Sequence, residues 1–141
     1  MPAQSSARTV TRRNLVLVAA LVIGIEAVLW WLMPGPKSTV VDVGVPELSP
    51  VAQAGREAFR AHCAQCHGEY AGGTDQGPPL VHKWYHPNHH ADAAFLLAAK
   101  RGVPQHHWRF GNMPPQPQVG ERSIQQITEF VRELQQANGI N

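Results

Sequence analysis

The sequence is short of the residues that mark several common classes of protein. Its 141 residues include only two cysteines, Cys63 and Cys66, too few for a secreted scaffold stapled by several disulfides. An excess of one charge is also missing, since 12 Lys and Arg stand against 10 Asp and Glu. A net charge of +2 excludes a polyanion-binding module with a strongly basic face, so no nucleic-acid partner is expected. No segment recurs at a fixed period, which excludes solenoids and propellers. The residue in surplus is histidine: of eight, six fall between positions 82 and 107.

Composition divides the chain into an N-terminal segment, an apolar run, a linker and a domain. Residues 1–13 are polar and carry Arg8, Arg12 and Arg13 with no acidic residue. Residues 14–33 (NLVLVAALVIGIEAVLWWLM) are almost wholly apolar. Twenty residues of helix cover about 30 Å, the hydrocarbon thickness of a bilayer. This pattern predicts a single transmembrane anchor. The arginines before it leave residues 1–13 in the cytoplasm, and Trp30 and Trp31 fall at the outer interface. A cleaved signal peptide is the competing reading, but the run exceeds the usual ~7–15 apolar residues and no A-x-A-like cleavage site follows. Glu26 is the one ionisable residue in the span. It is either a contact for a partner helix or a carboxyl that stays protonated or snorkels outward. Residues 34–50 hold prolines at 34, 36, 46 and 50 and read as an extended tether, or as a strand laid against a partner.

The working domain is expected over residues 51–141. Ser49-Pro50 offers an N-cap followed by proline at the first helical position. Val51, Gly55, Ala58, Phe59 and His62 then recur on one helical face. A second helix is expected over about 91–101, stopped by Gly102 and Pro104, and a third over about 121–137. The third carries Ile124, Ile127, Phe130, Val131 and Leu134 as its apolar stripe and closes at Asn138-Gly139. The segments between are rich in Gly, Pro, Asn and His and show no strand alternation. The domain is therefore predicted to be all-α, with a core thin enough to need a large apolar filler.

Cys63-Ala64-Gln65-Cys66-His67 supplies that filler. C-x-x-C-H is the attachment signature of a c-type haem: two thiols three positions apart on a helix reach the two vinyl groups of one porphyrin, and the next imidazole faces the iron. A thioredoxin-like pair would need a preceding strand, a structural zinc would need a second cysteine pair, and a disulfide at this spacing would be strained.

With these residues the chain resembles the single-haem class I cytochromes c in their membrane-anchored bacterial form. Gly55 and Phe59 precede Cys63 as in the family's first helix. Gly77-Pro78-Pro79-Leu80 is similar to the family loop whose proline carbonyl, here that of Pro78, accepts the proximal imidazole N–H. Gly111-Asn112-Met113-Pro114 is similar to the loop that supplies the sixth ligand, and Phe130 to the aromatic where the last helix crosses the first. The resemblance implies a cytochrome c fold of about three main helices around one covalent haem c. It implies His67 and Met113 as iron ligands and no substrate-binding position, hence an electron carrier rather than an enzyme; the alternative is a core or loop Met113, with His106 or His107 as the sixth ligand.

Residues 81–90 (VHKWYHPNHH) and 104–109 (PQHHWR) depart from the family pattern. Trp84, Tyr85, Trp108 and Arg109 are expected to serve the haem propionates. His82, His86 and His90, spaced by four, would share a face if the segment were helical, and His89, His106 and His107 complete the set. A copper or similar ion held by these histidines is one alternative to plain electron transfer, and a haem ligand sensor or enzyme is another. From residue 51 onward eight basic residues meet seven acidic ones, so strong electrostatic steering is not expected. A carrier tethered in this way would serve respiratory or photosynthetic complexes on the periplasmic side of a bacterial inner membrane. A quinol-oxidising complex and a terminal oxidase fit as partners, or the chain would be a subunit of one.

Overall fold

The computed structural model of the protein describes residues 12–32 and 40–141. The chain divides into two compact units, Met1–Lys37 and Ser38–Asn141. In the first, α1 runs from Arg12 to Leu32, where the apolar run predicts a helix. Its described side chains are exposed, among them Leu15, Leu21, Ile23 and Leu32. Among the described residues no helix is long and apolar enough to cross a membrane. The unbroken stretch of α1 with described side chains, residues 14–29, covers about 24 Å at the helical rise, against about 30 Å of hydrocarbon. The expected span, 14–33, runs beyond it. Met33, the side chains of Trp30 and Trp31, and residues 1–11 and 33–39 lie outside the described residues.

The second unit is helical, with α2 (Pro50–His62), α3 (Ala64–His67), a 3₁₀ turn (Lys83–Tyr85), α4 (Asp92–Arg101) and α5 (Glu121–Ala137). Among the described residues the only β pairing is an isolated antiparallel bridge between Val103 and Met113. The start of α2 follows the sequence signal: Ser49 Oγ accepts from Ala52 N–H at 3.2 Å, and Pro50 occupies the first turn. Its buried face, however, is Ala52, Gly55 and Phe59. Val51 and His62, expected on that face, are exposed, because the helix turns its Gly55 side onto α5. A Cβ at Gly55 would lie 1.9 Å from the Gln126 carbonyl oxygen, so only glycine lets these backbones approach so closely. Phe59 and Phe130 pack there with ring centroids 5.4 Å apart and planes tilted by 58°. Both are fully buried, a stabilisation of about 2–3 kcal/mol per ring relative to exposure. The apolar stripe expected on α5 is buried throughout, with Thr128 and Gln135 buried beside it.

The linker differs from its expected form. Residues 40–49 lie against their own domain instead of forming a free tether. Val41 N–H donates to the Gly72 carbonyl at 2.8 Å, and Leu48 joins the core. Asn138, just past α5, accepts from Gly44 N–H at 2.9 Å and donates to the Gly44 carbonyl at 2.8 Å. Backbone groups that a free strand would leave to water or a partner are thus satisfied by the end of α5.

Candidate functional site

A cavity of about 460 Å³ opens between α2, α4, α5 and the 103–113 loop. Its walls are mostly apolar, with Phe59, Leu80, Phe95, Ile124 and Ile127 among them. Cys63, His67 and Met113 reach this one cavity from three parts of the chain.

Cys63 ends α2 with φ −123°, a break that turns the next four residues into the separate short helix α3. His67 closes α3, and Gly68 (φ +79°) turns the chain away. The loop then doubles back: Thr74 Oγ1 donates to the Cys66 carbonyl at 2.6 Å, Gly73 N–H to the His67 carbonyl at 2.7 Å, and Leu80 N–H to the Ala71 carbonyl at 2.7 Å. This fold-back brings the Pro78 carbonyl within 2.8 Å of His67 Nδ1. A carbonyl only accepts, so Nδ1 carries the proton and Nε2 keeps its lone pair. Burial holds the His67 pKa below its usual value, with the Pro78 bond opposing the shift. The imidazole is thus neutral and oriented as a metal-ligating nitrogen requires.

Met113 is fixed from α4. It forms the bridge with Val103, with two backbone hydrogen bonds of 3.0 Å. A Cβ at Gly102, where φ is +71°, would fall 2.4 Å from the Met113 carbonyl oxygen. Glycine there permits both the left-handed turn and the close approach. Cys66 is exposed and Cys63 partly buried. Burial, then the neighbouring Cys66, pushes the Cys63 thiol up to about 11.

Of the four expected polar contacts, Tyr85 and Trp108 reach the cavity. Trp84 and Arg109 are not among the residues lining the cavity, and Arg109 is exposed. His107 lines it beside Trp108, and Trp108 Nε1 and His107 Nε2 are buried without a hydrogen-bond partner. Trp84 braces them from behind, 4.6 Å from the Trp108 ring and 5.0 Å from the His107 ring between centroids. Nor is 82–90 one helical face: a 3₁₀ turn and a bend at His86 separate His82 from His90. Sequence reasoning missed Arg132. It pairs with Asp92 at 2.8 Å and donates to the carbonyls of Tyr85 and His90, so one α5 side chain ties the histidine segment to α4. Beside it, Gln135 donates to the carbonyls of Leu80 and Tyr85.

A porphyrin with two axial ligands needs an apolar slot, two thiols, a nitrogen with a free lone pair, a second donor and polar groups for its acids. The apolar walls, Cys63, His67 Nε2, Met113 and the orphaned Trp108 N–H fit that set, while the second thiol, Cys66, is exposed and is not among the residues lining the cavity. The family model described as Cytochrome c matches residues 52–135, more than half of the chain. The chain belongs to the cytochrome c family. Covalent haem c and a role in electron transfer come with membership of that family. No curated protein and no solved structure matches the chain.

Proposed function

We propose that this cytochrome is a membrane-anchored one-electron carrier with a single haem c, joined through Cys63 and Cys66 and ligated by His67 and Met113. The convergence of Cys63, His67 and Met113 on one cavity, with His67 oriented by Pro78, carries this reading. The haem supplies a one-electron couple at its iron. The chain's own residues do the rest. Pro78 holds the His67 ring through Nδ1 and raises its basicity. Met113 offers a soft thioether that favours the reduced iron, and the apolar walls keep water from it. With His67 and Met113 both holding the iron, a bound haem would have no position left for a substrate, which argues against an enzyme or ligand sensor. Replacing Met113 with Ala tests the assignment: the reduction potential is expected to fall and the reduced protein to bind carbon monoxide. An unchanged spectrum and potential would remove Met113 as the sixth ligand.

The anchor belongs to the same proposal. Support comes from the apolar run 14–33, its arginine-rich flank, the helical backbone over Arg12–Leu32 and the exposed apolar side chains of α1. The arginines place the haem domain on the periplasmic side of a bacterial inner membrane. Membrane redox complexes, such as a quinol-oxidising complex and a terminal oxidase, become its partners at high effective concentration. Replacing residues 1–33 with a cleavable export signal should release a soluble, haem-loaded protein whose turnover with native membranes falls. Undiminished turnover would show the tether to be irrelevant to electron transfer.

A further inference from the structure

Three histidines outside the haem-attachment motif converge beside the cavity, two of them, His90 and His107, in its wall. His89 and His90, just before α4, and His107, in the 103–113 loop, each offer a ring nitrogen, and these lie within 4.8 Å of one another. We propose that His89, His90 and His107 form a second metal site, separate from the haem iron, for a divalent ion of the borderline class, copper(II) or zinc(II).

Ring spacing supports the assignment. A metal about 2.0–2.1 Å from an imidazole nitrogen lies about 3.2 Å from the ring centre, so tetrahedral angles put two ligating rings about 5.2 Å apart. The three centroid separations are 4.6 Å for His89–His90, 5.5 Å for His89–His107 and 5.4 Å for His90–His107.

Hydrogen bonding sets the required tautomer. His90 Nδ1 lies 2.6 Å from the Trp84 carbonyl, which can only accept, so the proton sits on Nδ1 and Nε2 is left as a donor to metal. His107 Nε2 is buried with no partner, a polar atom whose desolvation an ion would offset. The frame is also held in advance: Arg132 bonds the His90 carbonyl, and the His107 ring stacks on Trp84.

The donor set selects the ion. The group contains neither carboxylate nor thiolate, which excludes the oxygen-seeking calcium and magnesium and leaves ions suited to imidazole. Three ligands leave a fourth position, and because His89 is exposed that position can be reached from solvent. His106, with its ring 4.3 Å from that of His107 and its Nδ1 bonded to the Pro104 carbonyl at 2.9 Å, is the adjacent further donor.

The test uses the oxidised, full-length, haem-loaded protein, purified in mild detergent without a histidine tag and stripped with a chelator. Copper(II) is titrated by equilibrium dialysis and by electron paramagnetic resonance. One equivalent per haem is expected, with nitrogen hyperfine structure and tighter binding than zinc(II) shows at the same site. His89→Ala, at an exposed position that leaves the fold intact, should weaken binding by about 100-fold or more, the upper end of the loss seen when even an outer-shell partner of a metal ligand is removed. His107→Ala should do the same, and His62→Ala on α2 should leave binding unchanged. No saturable equivalent, or binding that survives His89→Ala, would overturn the site. An unaltered haem spectrum throughout shows that the loss is local.

Discussion

On one side of the cavity α2 and α5 meet backbone to backbone, with Gly55 against Gln126 and Phe59 against Phe130. On the other side, residues 81–90 and 103–113 contain nothing more regular than a three-residue 3₁₀ turn and a single β bridge. The first wall is held by burial of apolar side chains spaced along two helices. The second is held by side chains bonded to backbone carbonyls, and Arg132 and Gln135 come from the first wall to make those bonds. Helix packing thus fixes where the cavity is, and the polar clasps fix which side chains look into it. A change in the first wall should reach the whole domain, whereas a change in the second should reach the site and its neighbours.

The largest effect is expected from Gly55→Val. Its Cβ would overlap the Gln126 carbonyl oxygen, backbone that no rotamer change can move. The two helices must separate, at a cost of about 3 kcal/mol or more, and denaturant unfolding of the haem-loaded protein should show it. A midpoint close to wild type would mean that the two walls are not built on different terms. Arg132→Gln comes next. Its side chain is only 14% exposed, and its loss leaves the carbonyls of Tyr85 and His90 without their charged donor, worth about 2 kcal/mol. If the clasp acts locally, this variant should also weaken copper(II) binding at His90 about tenfold. Equal loss of stability with unaltered copper binding would break the link between clasp and site.

The same division explains what the sequence made legible. The bounds of α4 and α5 and the capped start of α2 follow from helical period and cap chemistry, which are local signals, whereas the crossing at Gly55 and Phe130 is what the family resemblance implies. Cys63, His67, Pro78 and Met113 were readable because their spacing along the chain is itself the chemistry or matches a known loop. Which of the four aromatic and basic candidates reach the cavity, Tyr85 and Trp108 and not Trp84 and Arg109, was not readable. Loop direction depends on bonds made across the fold, such as that from Arg132 to the Tyr85 carbonyl 47 positions away. The attachment of residues 40–49 to the domain escaped for the same reason, since Gly44 meets Asn138 across 94 positions.

The smallest effect tests whether the polar side owes its order to charge or to desolvation. Lys100 and Glu121 join α4 to the first turn of α5 at 2.9 Å, almost the 2.8 Å that separates Arg132 from Asp92. Equal lengths would suggest equal worth, but the surroundings differ. The Lys100 and Glu121 side chains are 50% and 56% exposed, so water screens the pair and each side chain gives up rotamer freedom to form it. Such pairs contribute about 0.2–1 kcal/mol. Glu121 keeps its own favourable place at the N-terminal end of α5 whether or not Lys100 is present. Lys100→Ala should therefore cost no more than about 0.5 kcal/mol, and in about 1 M salt, where charges interact over only about 3 Å, the cost should vanish. The loss on Arg132→Gln should persist in the same salt, because it comes from losing the Arg132 bonds to the part-buried carbonyls of Tyr85 and His90. Paired unfolding curves of the two variants at low and high salt decide the matter. If both losses disappear together, the histidine wall is held by exposed ion pairing rather than by the buried clasp.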